Sequence, residues 1–315
     1  MSEKRKAYLA TTICSIIIGL SFMFVKITLT VATPLDTLAH RFTIAWVAAS
    51  VLLLFKKEIV KVSKKDVFII FLLAILYPIL FFGLQVFGLT HTSSSEAGII
   101  QATVPIFTLV FASILLKESS NRAQKFATFI SVIGVIYIMY MNGAGVIESS
   151  LIGSCLILFS AISNALYNVF TKKLIQHYSL FTLTYMITLI GFIVFNGMAL
   201  INHMMNGTVH QFIQPFGHLD FLLAILYLGI LSSLGTSYLS NYALSKLPAF
   251  QISVFSNLAT LITILAGIIF LNESFQYYHA IGSCIIILGV IGVNYFSKRN
   301  IQKNEEVKKV LKVES

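Results

Sequence analysis

Apolar residues run along this chain in long blocks, interrupted by short polar stretches. Ten blocks stand out, at about residues 7–31, 36–55, 67–89, 95–116, 123–141, 150–171, 179–201, 219–244, 248–271 and 277–296. Each approaches or exceeds the length of about 20 residues that a helix needs to cross about 30 Å of hydrocarbon. The blocks are too long for strands and lack a period of two. Ile and Val are abundant in them, yet β-branching does not oppose a helix in lipid, where every backbone group must be paired internally. The pattern predicts an all-α integral membrane protein with ten transmembrane helices.

Polar and small residues recur inside several blocks at helical spacing. The first carries Thr11, Ser15, Gly19 and Lys26, and the fourth Gly98, Gln101, Pro105 and Thr108. The sixth carries Ser160, Asn164, Tyr167, Asn168 and Thr171. The eighth has Ser233, Ser237, Ser240 and Asn241, and the ninth Ser253, Ser256, Asn257 and Thr260. Such stripes face a bundle interior or a cavity. Small residues and hydroxyls also serve close helix packing, so a single Ser, Thr or Gly says little. Amides say more, because an amide left unpaired in hydrocarbon is costly. Gln85, Gln101, Asn164, Asn168, Asn241 and Asn257 are therefore candidates either for bonds between helices or for the wall of a wet pocket. Gln101, Asn164, Tyr167, Asn168, Asn241 and Asn257 are taken as candidate substrate-binding residues of one shared cavity. The fifth and tenth blocks are aliphatic at their centres and belong at the lipid-facing edge.

Composition agrees. The chain has 315 residues, 57% apolar and only 11% charged, against about 25% charged in soluble domains. That excludes an ordinary cytosolic enzyme and a disordered chain. The net charge of +10 suggests an acidic partner until the positions are read. Of 22 Lys and Arg, all but Lys26 and Arg41 lie before the first block, in alternate loops or in the tail. They are Lys4, Arg5, Lys6; Lys56, Lys57, Lys61, Lys64, Lys65; Lys117, Arg122, Lys125; Lys172, Lys173; Lys246; and Lys298, Arg299, Lys303, Lys308, Lys309, Lys312. The other loops contain none. Basic loops stay in the cytoplasm, so both termini are expected there, with the chain in the cell membrane. The charge serves topology and the lipid surface, with no role in nucleic-acid binding. Lys4, Arg5 and Lys6 before an apolar run imitate a secretory signal, but the run is long and no good cleavage site follows it, so the first helix is expected to be retained.

Asp36, Glu96, Asp220 and Glu273 fall at outer ends of blocks and none near a centre. Lys26 and Arg41 lie inside blocks toward the same outer side. Three roles stay open for them: reaching the headgroups, pairing with Asp36, Glu96 or Asp220 as an outer gate, or touching a substrate carboxylate. Lys26, Arg41 and Glu96 form the candidate gate cluster. Pro78 and Pro105 are expected to kink the third and fourth helices. His203, His210 and His218 read as solvated loop histidines, and Cys14, Cys155 and Cys284 as packing residues, with no metal or disulfide spacing.

The chain also repeats itself. At a shift of 155 positions, Leu116–Lys117–Glu118–Ser119 falls on Leu271–Asn272–Glu273–Ser274, Gly134–Val135–Ile136 on Gly289–Val290–Ile291, and Tyr140 on Tyr295. Two repeats of five spans each, 7–141 and 150–296, must enter the membrane from opposite sides. A basic tail, 297–315, follows as no domain of its own. Inverted repeats are a recurrent build of secondary transporters, with the substrate between the halves.

The ten-span layout, this duplication, Gly19 through Lys26, Arg41–Phe42, Ala97 through Pro105, Leu116–Lys117–Glu118 and Leu271–Asn272–Glu273 resemble the drug/metabolite transporter superfamily, in its EamA-type branch. Two positions depart from that pattern, Ile18–Gly19 in place of Trp-Gly and Thr260 opposite Pro105. The resemblance implies a bacterial permease for small metabolites, commonly an exporter, with a cavity between the repeats. Amino acids or related compounds are the expected cargo, moved by alternating access without a cofactor. No Walker A motif is present, and no mid-span carboxylate is available to carry protons, so exchange or facilitated diffusion stays open. Pairing of two copies is also open. The other classes considered are a membrane-embedded enzyme, which lacks a nucleophile–base pair in the spans, and a non-transporting sensor or scaffold, which lacks an output domain.

Overall fold

The computed structural model describes residues 3–56, 64–115, 122–143, 148–174, 179–247, 255–289, 291–292 and 295–296. The tail 297–315 and Glu118 lie outside the described residues. Among those described, the chain is helical throughout, with short turns and no strand. The helices are α1 (Glu3–Thr28), α2 (Pro34–Lys56), α3 (Lys64–Ala74), α4 (Phe81–Leu89), α5 (Ser94–Gln101), α6 (Val104–Leu115), α7 (Arg122–Gly143), α8 (Glu148–Leu174), α9 (Leu180–Asn206), α10 (Leu219–Leu226), α11 (Thr236–Lys246) and α12 (Ser256–Leu271). A shorter apolar helix, α13, covers Tyr277–Gly289. By length and composition seven stretches can cross a membrane, while the fifth, ninth and tenth are shorter in the described residues. The end of the bundle where α1 begins is called the near end, and the opposite end the far end.

Two of the long stretches are broken at mid-length, and a third changes its helical winding there. Between α3 and α4 the backbone turns π-helical at Ile75–Leu80, and Tyr77 leaves helical geometry beside Pro78. Proline lacks the amide hydrogen that the helix ladder requires. Between α5 and α6 the break falls at Ala102 and Thr103, and Pro105 sits in the first turn of α6, where proline is tolerated. The third change was not visible in the sequence. It is a π-helical stretch, Tyr227–Gly235, between α10 and α11, and it contains no proline. Residues in such stretches often build functional sites.

Helix contacts come in matched pairs. The first span packs on the eighth and ninth, through α1 with α11 and α1 with α12. Correspondingly, the sixth packs on the third and fourth, through α8 with α4 and α8 with α6. The second and seventh, α2 and α9, pack on each other. A Cβ on Gly134 of α7 would meet Ile286 of α13 and the Gly282 carbonyl, so the fifth and tenth also meet. Every one of these contacts fits a two-fold relation between the two halves of the chain. The outer faces of α7 and α13 carry exposed Phe126, Phe129, Ile136, Ile281 and Leu288, as a lipid-facing edge should.

Small residues let α12 come close to α1 and α5. Thr263 Oγ1 donates to the Gly19 carbonyl at 2.9 Å, and Thr260 Oγ1 to the Gly98 carbonyl at 3.1 Å. A Cβ on Gly98 would lie 2.7 Å from Thr263 Cγ2, and one on Gly19 2.7 Å from Ile262 Cβ. Gly98→Val is therefore expected to destabilise the bundle by about 1–3 kcal/mol through overpacking. Melting of the detergent-solubilised protein checks this, with Gly83→Val as the control, because a Cβ at Gly83 meets nothing within 4 Å.

Candidate functional site

One cavity of about 190 Å³ lies inside the bundle. Its wall draws on the first, third, fourth, sixth, eighth and ninth spans, hence on both halves of the chain. On α1 the lining runs from Thr11 to Phe22, and on the eighth span from Ser232 to Leu244. On the sixth and eighth spans the lining lies toward the near end, while on the third and fourth it reaches Gln85 and Gly98, toward the far end. The wall is made of hydroxyls, amides, aromatic rings and aliphatic groups, and among the described residues none that lines it is charged.

Gln101, Asn164, Tyr167, Asn168 and Asn241 all line this cavity. Gln101 Nε2 donates to Ser160 Oγ at 3.1 Å. Asn241 is buried and donates to Thr184 Oγ1 at 3.2 Å, so its amide also ties α11 to α9. Asn164 and Asn168 show no hydrogen bond to a described residue, which leaves their amides to the cavity. The Tyr167 ring stacks on Tyr77 with centroids 4.7 Å apart, and Tyr77 OH shares a hydrogen with Ser237 Oγ at 3.3 Å. The Asn257 side chain lies outside the described residues.

Lys26, Arg41 and Glu96 do not gather into one cluster. Arg41 is fully buried, so it does not reach the headgroups, and it has no acidic partner among the described residues. Its Nε donates to Ser233 Oγ at 2.7 Å and its Nη2 to Ser232 Oγ at 3.0 Å. The guanidinium stands 3.9 Å above the Phe82 ring. Asp36, once a candidate partner for it, instead holds His203 Nε2 at 2.8 Å. Glu96 is buried, accepting from Thr92 Oγ1 at 2.6 Å and from Ser154 Oγ. Lys26 is half-buried in the field of Glu273 and Glu96, which leaves those two, and not Arg41, as its company.

The far end is fastened at two places. At the first, Glu273 binds the start of α5. Its Oε1 accepts the Ser94 amide at 2.6 Å, and its Oε2 accepts the Ser95 amide at 2.9 Å and the Ser95 hydroxyl at 2.6 Å. The first amides of a helix have no partner within it, and their dipoles favour an anion there. Asn272 delivers the carboxylate by ending α12 in the left-handed conformation, with φ of 52°, one that asparagine tolerates. At the second, Asp36 and His203 form a buried pair, and His203 Nδ1 bonds Thr208 Oγ1 at 2.8 Å. The chain after α9 then folds over α2, where His40 Nε2 meets the Phe212 carbonyl at 2.8 Å. This corrects the expectation for His203. Helix α9 runs to Asn206 and buries that histidine, while His210 and His218 are exposed.

At the near end, the Glu3 carboxylate takes hydrogen bonds from Lys6 and Tyr242 and lies 3.7 Å from Lys246 Nζ. The Lys6 hydrogen bond holds the Glu3 carboxyl below its ordinary value. Glu3 is fully exposed to solvent in this arrangement, so it fastens that end only weakly.

Sequence reasoning missed Glu273 as a fastener, and Ser232 with Ser233 as the partners of Arg41. A signal for the first existed. Glu273 sits in the repeated Leu-x-Glu-Ser stretch, and Ser93–Ser94–Ser95–Glu96 reads as a helix start, with Ser93 Oγ accepting the Glu96 amide at 3.1 Å. Nothing local marked the two as partners.

A bundle of long apolar helices around a neutral polar cavity, built from two matched halves, defines a multi-pass membrane transport protein. The model of the EamA-like transporter family matches residues 5–140 and again 151–295, and the chain belongs to that family. It is 51% identical over 292 residues to the uncharacterized transporter YcxC of Bacillus subtilis (strain 168), covering 93% of this chain and 94% of that one. It is 26% identical to the uncharacterized transporter YetK of the same organism, covering 92% and 87%. A solved structure titled only as a crystal structure of a protein superposes with a TM-score of 0.66 at 15% identity, over 93% of this chain and 98% of that one. That likeness supports the fold.

Proposed function

We propose that the protein is a secondary transporter that moves a small metabolite out of the cell by alternating access, through ten spans in two inverted halves. The observation that carries this reading is a cavity whose wall draws on both halves of the chain, in a bundle whose far end is fastened more firmly than its near end. The near end carries Arg5, Lys6, Arg122, Lys125 and Lys246, which supports placing it in the cytoplasm. With the far end fastened, this state reads as inward-facing. Release of the Glu273 and Asp36–His203 fastenings, with closure at the near end, gives the outward-facing state. Amino acids or related compounds suit the wall, where amides and hydroxyls serve polar groups and Tyr77, Phe81 and Tyr167 take an apolar part. Among the described residues the lining offers no carboxylate or imidazole for acid–base chemistry, which supports carriage over a reaction.

Flux in proteoliposomes across a panel of amino acids and cationic drugs tests the reading. Protein-dependent flux of at least one compound is expected, and none from folded protein overturns it. Asn164→Ala is expected to lower flux roughly 10-fold, the worth of about one hydrogen bond of 1–1.5 kcal/mol, while expression stays unchanged.

A further inference from the structure

We propose that Arg41 is the counter-charge of the transported molecule, and that this molecule carries a carboxylate bound at the far end of the cavity. The inference deepens the transporter reading and rests on it.

A guanidinium buried in a membrane bundle is costly and normally finds an anion. Arg41 has none among the described residues. Its partners are two serine hydroxyls and one ring, all neutral. Its Nη1 has no hydrogen-bond partner at all among the described residues. Three carboxylates of the far end are engaged elsewhere, Asp36 with His203 and Thr33, Glu96 with Thr92 and Ser154, Glu273 with α5, and Asp220 is exposed to solvent, away from the buried guanidinium. The protein therefore holds a positive charge in its interior with no anion against it among the described residues.

The charge sits directly behind the cavity wall. Phe82 and Ser232, which touch the guanidinium, both line the cavity, and Ser232 is its far-most lining residue on the eighth span. Because Ser232 Oγ accepts a hydrogen from Arg41, its own hydrogen is left to donate. A carboxylate against this wall would take that hydroxyl, with the guanidinium and its buried, unpartnered Nη1 close behind it. The π-helical stretch Tyr227–Gly235 is what turns two consecutive serines, Ser232 and Ser233, toward one guanidinium. With no charged residue in the described lining and low dielectric around it, the field of Arg41 acts on the cavity with little opposition. An anion is drawn in and a cation repelled. One arginine, with Nε and Nη2 already used, matches a singly charged carboxylate better than a phosphate dianion, which would ask for further donors.

The test uses the purified full-length protein in detergent. Its melting is followed with carboxylic acids of three to nine carbons, amino acids included, each beside its primary amide and its amine; phenylacetate, phenylacetamide and phenethylamine are one such set. At least one acid is expected to raise the melting temperature of the wild type, and its amide and amine to leave it unmoved. Arg41→Met is expected to melt at the wild-type temperature or above without ligand, and to weaken the acid at least 10-fold. Ser232→Ala keeps the guanidinium and is expected to weaken the acid several-fold, which serves if Arg41→Met does not fold. Acid and amide acting alike, no acid acting on the wild type, an undiminished acid response in both variants, or a folded Arg41→Met that melts several degrees lower each overturn the proposal. Amides or amines that bind or cross while acids do not would overturn the carboxylate and leave the transporter reading standing. Absence of any flux removes the transporter reading itself.

Discussion

Replacing Glu273 by Ala opens the far end of the bundle, and Cys14 becomes reactive from that side. Cys14 is a native reporter, since it lines the cavity. In a Cys155→Ser, Cys284→Ala background it is the one thiol left, because the chain has 3 cysteines. Glu273 makes three hydrogen bonds to the start of α5, two of them to backbone amides. Hydrogen bonds to a charged group are each worth about 1.5–3 kcal/mol. Losing them all, less what water returns on opening, removes about 3 kcal/mol from the closed far end. That shifts an open–closed equilibrium by roughly 100-fold. In sealed vesicles, a membrane-impermeant thiol reagent should label wild-type Cys14 from the near face. With Glu273→Ala the far-face rate should rise at least 10-fold. Unchanged far-face labelling would falsify the gate. A second variant reaches the same contact differently. A Cβ on Gly267 would collide with Glu273 Oε2 and Ser95 Oγ. Gly267→Ala should therefore open the far end too, although alanine favours the helix itself by about 1 kcal/mol.

The second large effect is on stability. Asp36→Ala should cost about 3–5 kcal/mol, the range for breaking a buried pair by removing one partner. The side chains of His203 and Asp36 are only 5% and 4% exposed. Asp36 Oδ2 also accepts from Thr33 Oγ1 at 2.8 Å, and its amide donates back to Thr33 Oγ1 at 3.2 Å. The substitution thus loosens the turn before α2 and strands one nitrogen of His203. Thermal melting of Asp36→Ala, His203→Ala and the double variant checks this. The double variant should be no worse than the poorer single one, because the two side chains act as one unit. Additive losses would show that each works alone.

The two effects separate what the chain wrote locally from what it left to assembly. The long apolar blocks are local features, and each marked a helix. The stripe Ser160, Asn164, Tyr167 and Asn168 is local too, and its 3.6-residue period placed it on one face of α8. The kink at Pro78 was legible because proline removes a backbone donor wherever it sits. The π-helical stretch at Tyr227–Gly235 carries no such residue, so no local rule disclosed it. The bounds of α9 were read too short because the end that carries His203 is polar in composition. It is buried only because Asp36 of another helix covers it.

Arg41 shows the division most sharply. Its sequence position left three roles open, and two were removed by partners far along the chain. Ser233, the first of its hydrogen-bond partners, is 192 residues away, and the α5 amides that hold Glu273 are 178 and 179 residues from it. By itself the sequence determined the membrane solvent, the helices, the duplication, the family and most of the cavity's amides, because hydrophobic length, period and repetition are properties of neighbours in the chain. The tertiary structure decided which end is fastened, that Glu273 caps a helix, and that Arg41 lies buried with no anion beside it among the described residues. Pairing energies of that kind depend on distance in space, burial and local dielectric, none of which exists until the helices have packed.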